Sequence, residues 1–438
     1  MIRAGARSNT APAGVRRGQY IVRHREAIMT YSHHVTRGIE LPYKNDYNYS
    51  LQLIRWFLLP IGAWPQMNTA TRVERIPSHM HIFACAFLIA IVMVPFVLYV
   101  LLEEKDANIK ISLIGPLSHW IIGMINYCLL LARCDDIREC MLHMETDWRL
   151  VRKIEDRQIM LRQAKIGRFI AGFCAVFMQS GTFLFAIAKS LSTTIVIVGN
   201  ETVSFHPMAC PIYTKFIDTR FSPANEIMVV VELLSTFTVN SVNVGACSLD
   251  AVFAMHACGQ LNVLFSWLNK LVDEDKGDKC AKQRLAVIVE HHLRVLSFIS
   301  RMETIMRNIC FVELLGSTMN MCLLAYYFIT NLDSFDAAKA MSYVLIYLSV
   351  AFNIWIFCYI GEILTEQCKN VGEKAYMIDW YELPHETALG LILVIARSSN
   401  VIKMTAGKLF HLSIATFGDV IKTSVVYLNM LRTMSTSA

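Results

Sequence analysis

The sequence predicts an all-α membrane protein with seven transmembrane helices, and three observations carry that expectation. Of 438 residues, 55% are hydrophobic and 17% charged, with a mean hydropathy of +0.42, whereas soluble domains hold nearer 25% charged residues. The apolar residues gather in long charge-poor runs, each able to cross a hydrocarbon layer of about 30 Å at about 1.5 Å per residue. With the amino terminus inside, the inner segments carry 33 of the 41 Lys and Arg and the outer segments 6. That asymmetry is the bias that keeps cytoplasmic loops positive. The amino terminus is therefore expected in the cytoplasm and the carboxyl terminus outside.

The elements follow in order. Residues 1–28 are Arg-rich with Ala, Gly and Ser and almost no acid. They share that composition with mitochondrial transit peptides, but lack the apolar centre of a secretory signal; the simplest reading is a disordered cytoplasmic extension or an upstream start codon. Residues 29–78 read as a cytoplasmic or interfacial segment. Within it, Asn48 to Trp64 is amphipathic, broken at Pro60 and too short to span, so it should lie along the inner interface. Six spans are placed at 79–102, 111–132, 168–189, 225–249, 309–331 and 341–364, so that 79–364 forms the main bundle. Between spans four and five, Leu261, Leu264, Phe265 and Leu268, then Leu285, Ile288, Leu293, Leu296 and Ile299, recur at helical spacing. They predict that both spans continue as helices into the cytoplasm. Residues 365–408 form a cytoplasmic loop with a short helix over 386–403, because the run 389–395 is too short to span. The last helix is expected over 409–434. No internal repeat is visible, which argues against an inverted-repeat transporter.

Several function classes fall away on composition. A net charge of +6 invites nucleic acid, but the cations sit in the gaps between spans rather than in a basic domain. The thirteen Cys have no metal-ligand spacing and read as reduced, buried small hydrophobes. His33-His34 and His291-His292 are adjacent pairs and His79 and His81 flank a span entrance, so all read as solvated or interfacial. With no HExxH, phosphate loop or nucleophile elbow, no catalytic residue, metal or cofactor is expected. A rhodopsin-like receptor would place its amino terminus outside. It would also carry an acidic-Arg-aromatic triplet after span three and Asn-Pro-x-x-Tyr in span seven, and neither motif is present.

A ligand site is expected in the outer halves of the spans, which carry Pro116, Trp120, Met124 and Tyr127 on span two and Phe177, Met178, Gly181, Thr182 and Phe185 on span three. Met228, Glu232 and Thr236 follow on span four, and Tyr343, Ile346, Tyr347 and Val350 on span six. Aromatic and Met side chains with a few hydroxyls suit a small, mostly apolar molecule, although the same stripes also serve helix packing. The candidate ligand-binding set is Trp120, Met124, Phe177, Met178, Thr182, Met228, Glu232, Tyr343, Ile346 and Tyr347. The last helix is interrupted by Asp419, Lys422, Thr423, Ser424 and Asn429, and polar groups at membrane depth face a bundle interior or a water-filled path. Asp419 and Lys422, three apart, can neutralise each other. Thr423, Val426 or Tyr427, Met430 and Met434 recur at spacings of three and four and share a face. That face either lines a pore, closed by dewetting at the Met side chains, or packs on span five or six. Asn200-Glu201-Thr202 is a glycosylation sequon on the outer side and Asn48-Tyr49-Ser50 one on the inner side.

Three motifs in the right order resemble insect odorant receptors. They are Tyr49-Ser50-Leu51-Gln52 with Arg55-Trp56-Phe57 and Pro60-Ile61-Gly62-Ala63-Trp64-Pro65; then Ala375-Tyr376, Asp379-Trp380-Tyr381 and Pro384; and finally Thr405, Ala406, Gly407, Phe410, Phe417, Lys422, Ser424, Tyr427, Leu431 and Arg432. The resemblance implies a ligand-gated, non-selective cation channel in the plasma membrane of a sensory neuron dendrite, with four subunits around one pore. It implies an odorant pocket among the outer spans, a cytoplasmic helical layer where subunits meet, and a gate three residues after Tyr427, at Met430. The partners implied are a volatile odorant, membrane lipid and the family's shared olfactory co-receptor; no nucleic acid is involved. The second inner loop lacks the co-receptor's long insertion, which points to an odorant-specific tuning subunit. A gustatory receptor would close with Thr-Tyr…Gln-Phe, which Thr423 to Leu431 does not follow. A G-protein-coupled receptor and a secondary transporter are the readings from other classes.

Overall fold

The computed structural model describes residues 40–66, 72–191, 193–198, 201–273, 278–330 and 337–437. The extension 1–28 and Asn200 lie outside these residues. Ten α-helices and two short hairpins follow one another in the described chain. They are α1 (Glu40–Leu58), α2 (Arg72–Leu98), α3 (Ala107–Ala132), α4 (Cys134–Leu150), α5 (Ile154–Leu191), hairpin β1 (Thr194–Val198) and β2 (Glu201–Phe205), and α6 (Ala224–Asp273). Then come α7 (Asp278–Thr330), α8 (Ala337–Met377), α9 (His385–Ser399), hairpin β3 (Thr405–Ala406) and β4 (Phe410–His411), and α10 (Ile414–Ser437).

By length and composition, five of the described helices can cross a membrane: those over Pro77–Glu103, Ile109–Ala132, Ala224–Val272, Cys280–Ile329 and Ala340–Met377. The other two expected spans lie in α5 and α10. The amino-terminal half of α5 is charged, and α10 carries Asp419, Lys422 and Asn429. In α2, Pro95 removes an amide donor, and the helix widens into a π-turn over Tyr99–Glu103. Helices α6 and α7 run 50 and 53 residues. At about 1.5 Å per residue each far exceeds the hydrocarbon thickness, so both continue beyond it without a break, as the stripes over 261–299 foretold.

The core runs through the middle of the bundle, where Val239, Val242, Leu249, Phe253, Leu261, Ile299, Met306 and Ile360 are almost fully excluded from solvent. Helices α5 and α6 approach closely through Gly167, which faces Met255 and Val252, and Gly259, which faces Gln163; small residues permit that approach. Helix α1 lays Leu51, Ile54 and Leu58 on the core and leaves Trp56 exposed, as its amphipathic pattern requires. Arg168 stacks 4.0 Å over the Tyr49 ring and Arg157 pairs with Asp46 at 2.5 Å, which fixes α1 to α5.

Histidines 291 and 292 correct the sequence reading. His291 Nε2 lies 3.1 Å from the Gln260 carbonyl with its ring 4.8 Å from that of Trp267, and His292 is 3% exposed. His292 is buried and His291 half-buried because the continuous α7 packs along α6 well past the membrane part. Beside them, Asp147 of α4 is buried, with one carboxylate oxygen 2.9 Å from His256 Nε2 and the other 2.7 Å from Arg294 Nε. Burial would raise the Asp147 pKa, but the hydrogen bond from His256 and the charges of His256, Arg294 and His143 outweigh it and hold it below the usual carboxylate value. No disulfide joins the thirteen Cys, which are mostly buried, and Cys174 and Cys247 sit 3.6 Å apart sulfur to sulfur, far beyond a disulfide length.

The last helix begins at Ile414 rather than 409. Gly407 and Lys408 both take positive φ, at 64° and 63°, so the chain turns back and β3 pairs with β4. A Cβ on Gly407 would stand 2.7 Å from Phe311 Cδ2, so glycine is required there twice over. Gly407 N–H donates to the Arg307 carbonyl and Thr405 Oγ1 to Glu303 at 2.5 Å, which pins the hairpin on α7. Ser413 then caps α10, its hydroxyl accepting the Thr416 N–H at 3.2 Å.

Candidate functional site

The cavity that best suits a small molecule has a volume of about 170 Å³ and is enclosed by five helices and one loop. Helix α3 contributes Pro116, His119 and Trp120, α5 Met178 and Ala186, and α6 Glu232, Thr236 and Asn240. Helix α7 adds Leu323, Leu324 and Tyr327, and α8 adds Tyr343, Ile346 and Val350. The Tyr327 and Tyr343 rings lie 5.2 Å apart. Ala209 and Cys210 also border it. They belong to the loop between β2 and α6, which folds over the amino-terminal end of α6. Glu232, 2% exposed, accepts the Cys210 N–H at 2.7 Å and the Ala209 N–H at 3.3 Å. The carboxylate thus fastens the loop onto the cavity.

Five of the ten candidate ligand residues meet here: Trp120, Met178, Glu232, Tyr343 and Ile346. Phe177 and Tyr347 do not border the cavity, although each is next in sequence to a lining residue, Met178 and Ile346. Phe177 joins a ladder instead, 5.9 Å from Phe173 and 4.9 Å from Phe352. Tyr347 and Met124 are half-buried against the core, and Met228 is buried one turn before Glu232 on α6. Thr182 lies on α5, one turn beyond Met178.

Polar residues that sequence reasoning passed over form the cavity's other wall. Asn240, Asn243, Ser317, Asn320 and Asn353 all line it. Behind them Glu313 accepts from Asn126 Nδ2 and, at 2.6 Å, from Asn353 Nδ2. Ser118 Oγ donates to Asn320 Oδ1 at 2.5 Å, and Asn126 Nδ2 also reaches Asn243 Oδ1 at 3.3 Å. The missed signal was present in the sequence: single Asn and Glu residues inside apolar runs, where polar groups are functional by default.

A second feature is a groove of about 610 Å³ between α7 and α10. It is lined by Leu315, Met319 and Cys322 on one side and Asp419, Thr423, Tyr427 and Met430 on the other. Helix α10 packs on α7 through Val420 and Ser424, whose hydroxyl reaches the Thr318 carbonyl at 3.4 Å. The remaining face is open, with Tyr427 52% and Met430 57% exposed. Val426, 63% exposed, lies off the groove, and Met434 falls on the last turns of α10. Asp419 and Lys422 pair at 3.6 Å but are exposed rather than turned into this bundle. Among the described residues no group of His, Cys, Asp and Glu could hold a metal ion.

A multi-pass helical membrane protein that encloses a small, largely apolar cavity and exposes one face of its last helix has the build of a small-molecule receptor. A family model described as 7tm Odorant receptor matches residues 106–425. Odorant receptor 82a of Drosophila melanogaster is 21% identical over 396 residues, 87% of this chain and 98% of that protein. Odorant receptor 10 of Aedes albopictus is 23% identical over 218 residues, 49% of this chain, and the chain spans 57% of that relative's length. The odorant receptor coreceptor of Anopheles gambiae is 26% identical over 157 residues, 36% of this chain and 32% of that protein. The olfactory receptor OR5 of Machilis hrabei, solved with eugenol, superposes with a TM-score of 0.69 over 89% of this chain and 100% of that one, at 14% identity. The chain belongs to the seven-transmembrane odorant receptor family of insects. It is a receptor and not an enzyme.

Proposed function

We propose that this chain is an odorant-specific tuning subunit of a ligand-gated cation channel in the plasma membrane, with its amino terminus in the cytoplasm. It opens a shared pore with the olfactory co-receptor in a four-subunit assembly. The observation that carries this reading is the enclosed cavity walled by Trp120, Met178, Tyr343 and Ile346. An apolar cavity of about 150 Å³ is enough to hold benzene, so a volume of about 170 Å³ suits one small volatile molecule. The open face of α10, with Tyr427 and Met430, supports a pore-lining role once subunits assemble around it. Likeness to both odorant receptors and a coreceptor supports the heteromeric partnership.

The test is electrical. Cells expressing this chain with the co-receptor, screened with an odorant panel, should give inward cation currents that neither subunit supports for the same odorants alone. The current should persist in excised patches without nucleotides. Loss on excision, with recovery on adding nucleotides, would instead indicate coupling through a G protein. Substrate flux without channel-like current would indicate a transporter.

A further inference from the structure

Glu313 lies deep in the bundle, 4% exposed, and its oxygens accept from the amide nitrogens of Asn126 and Asn353. A carboxylate accepts but never donates. Both amides turn their NH₂ groups toward it, the choice of nitrogen and oxygen that an isolated Asn leaves open. The consequence for Asn353 is that its Oδ1 points elsewhere. That atom is buried and has no hydrogen-bond partner, and the residue is 6% exposed on the wall of the cavity. His119, on the same wall, is hydrogen-bonded to the Asn240 side chain. Three other acceptors there are engaged: Asn320 Oδ1 by Ser118, Asn243 Oδ1 by Asn126, and the Glu232 carboxylate by the Ala209 and Cys210 amides.

We propose that the cavity selects volatile alcohols and phenols, with the ligand hydroxyl donating to Asn353 Oδ1 and its apolar body against Trp120, Met178 and Ile346. This rests on the reading of the cavity as the odorant site. A site built to bond a hydroxyl rejects analogues that lack one, because the buried acceptor is then left unpaired. An ether cannot donate and a hydrocarbon offers nothing. An ammonium would need a free counter-charge, and Glu232 is committed to the loop.

The experiment compares size-matched series of alcohols, their methyl ethers, alkanes and primary amines on the native chain with its co-receptor. Because no variant has to fold, the comparison decides the ligand class directly. The alcohols should be at least about tenfold more potent than the other three classes, a margin in the range expected for one directional hydrogen bond. Ethers or amines as potent as the alcohols, or no response to any alcohol, overturn the proposal. Asn353→Leu should abolish the preference for alcohols and leave the ether responses in place. An alcohol preference that survives in Asn353→Leu at the cell surface removes Asn353 from the role. Trp120→Ala separates the two layers of argument. If it leaves every ligand unchanged, the cavity is not the odorant site. If it shifts all ligands while alcohols and ethers remain equipotent, the cavity stands and the hydroxyl assignment falls.

Discussion

Replacing Glu232 with Ala should loosen the loop over the cavity and weaken odorant binding. The buried carboxylate accepts two backbone amides, Cys210 at 2.7 Å and Ala209 at 3.3 Å, and only the first has strong geometry. One hydrogen bond to a charged group contributes about 1.5–3 kcal/mol, or about ten- to a hundredfold in affinity at about 1.4 kcal/mol per decade. The loop has other tethers. Asn225 exchanges bonds with the His206 backbone at 3.0 and 2.9 Å, and Thr214 donates twice to Glu103 at 2.9 and 2.6 Å. The variant should therefore free the segment near Ala209 and Cys210 without unfolding the whole loop. The expected result is a half-maximal concentration raised by about tenfold or more, with faster current decay after odorant removal, because an uncovered cavity releases its ligand sooner. Glu232→Gln keeps one uncharged acceptor and should fall between Ala and the native residue. Recordings with the co-receptor, alongside surface labelling, supply both readouts. Normal surface expression with unchanged potency and decay in both variants would refute the role of Glu232 as the loop's fastening.

Trp120→Ala removes a cavity wall and should change odorant ranking while co-receptor agonist currents persist; Tyr347→Ala, off the cavity, should change ranking less, and dose–response panels for the two would expose any reversal. Met430→Cys should make odorant-evoked current sensitive to external thiol reagents, and insensitivity in a surface-expressed variant would move the gate off this face of α10. Glycosidase digestion should find glycan at Asn200 and none at Asn48; glycan on Asn48 would invert the topology. Asp147→Asn should lower the melting temperature of the solubilised protein at neutral pH. Because the folded pKa of Asp147 is depressed, its stabilisation is complete above the ordinary value of 3.8 and fades as pH falls through the folded value. The gap between native and variant should therefore narrow in strong acid, and a gap independent of pH would remove charge from the explanation.

Much of the fold was legible because hydropathy and helical period report on single elements. The long charge-poor runs located the spans, and the stripes at Leu261–Leu268 and Leu285–Ile299 announced that α6 and α7 continue beyond them. The start of α10 was misplaced because the apolar run 409–413 reads as helix. Positive φ at Gly407 and Lys408 and the anchor on Arg307 and Glu303 depend on α7, a hundred residues earlier. His291 and His292 were misread for the same reason: burial depends on which helix lies alongside.

The candidate site divides in the same way. Trp120, Met178, Glu232, Tyr343 and Ile346 were legible as inward-facing side chains on outer half-spans. Phe177 and Tyr347 were not separable from them, since a stripe tells which residues share a face but not which neighbour that face meets. By itself the sequence determined the membrane class, the segment order, the expected orientation and the family, because hydrophobicity, charge and motif order are properties of the chain. Only the tertiary structure decided that Asn126, Glu313 and Asn353, from three separate helices, join in one buried network against the cavity. Hydrogen bonds of that kind are set by distances of about 3 Å between residues far apart in sequence, and no local pattern encodes them.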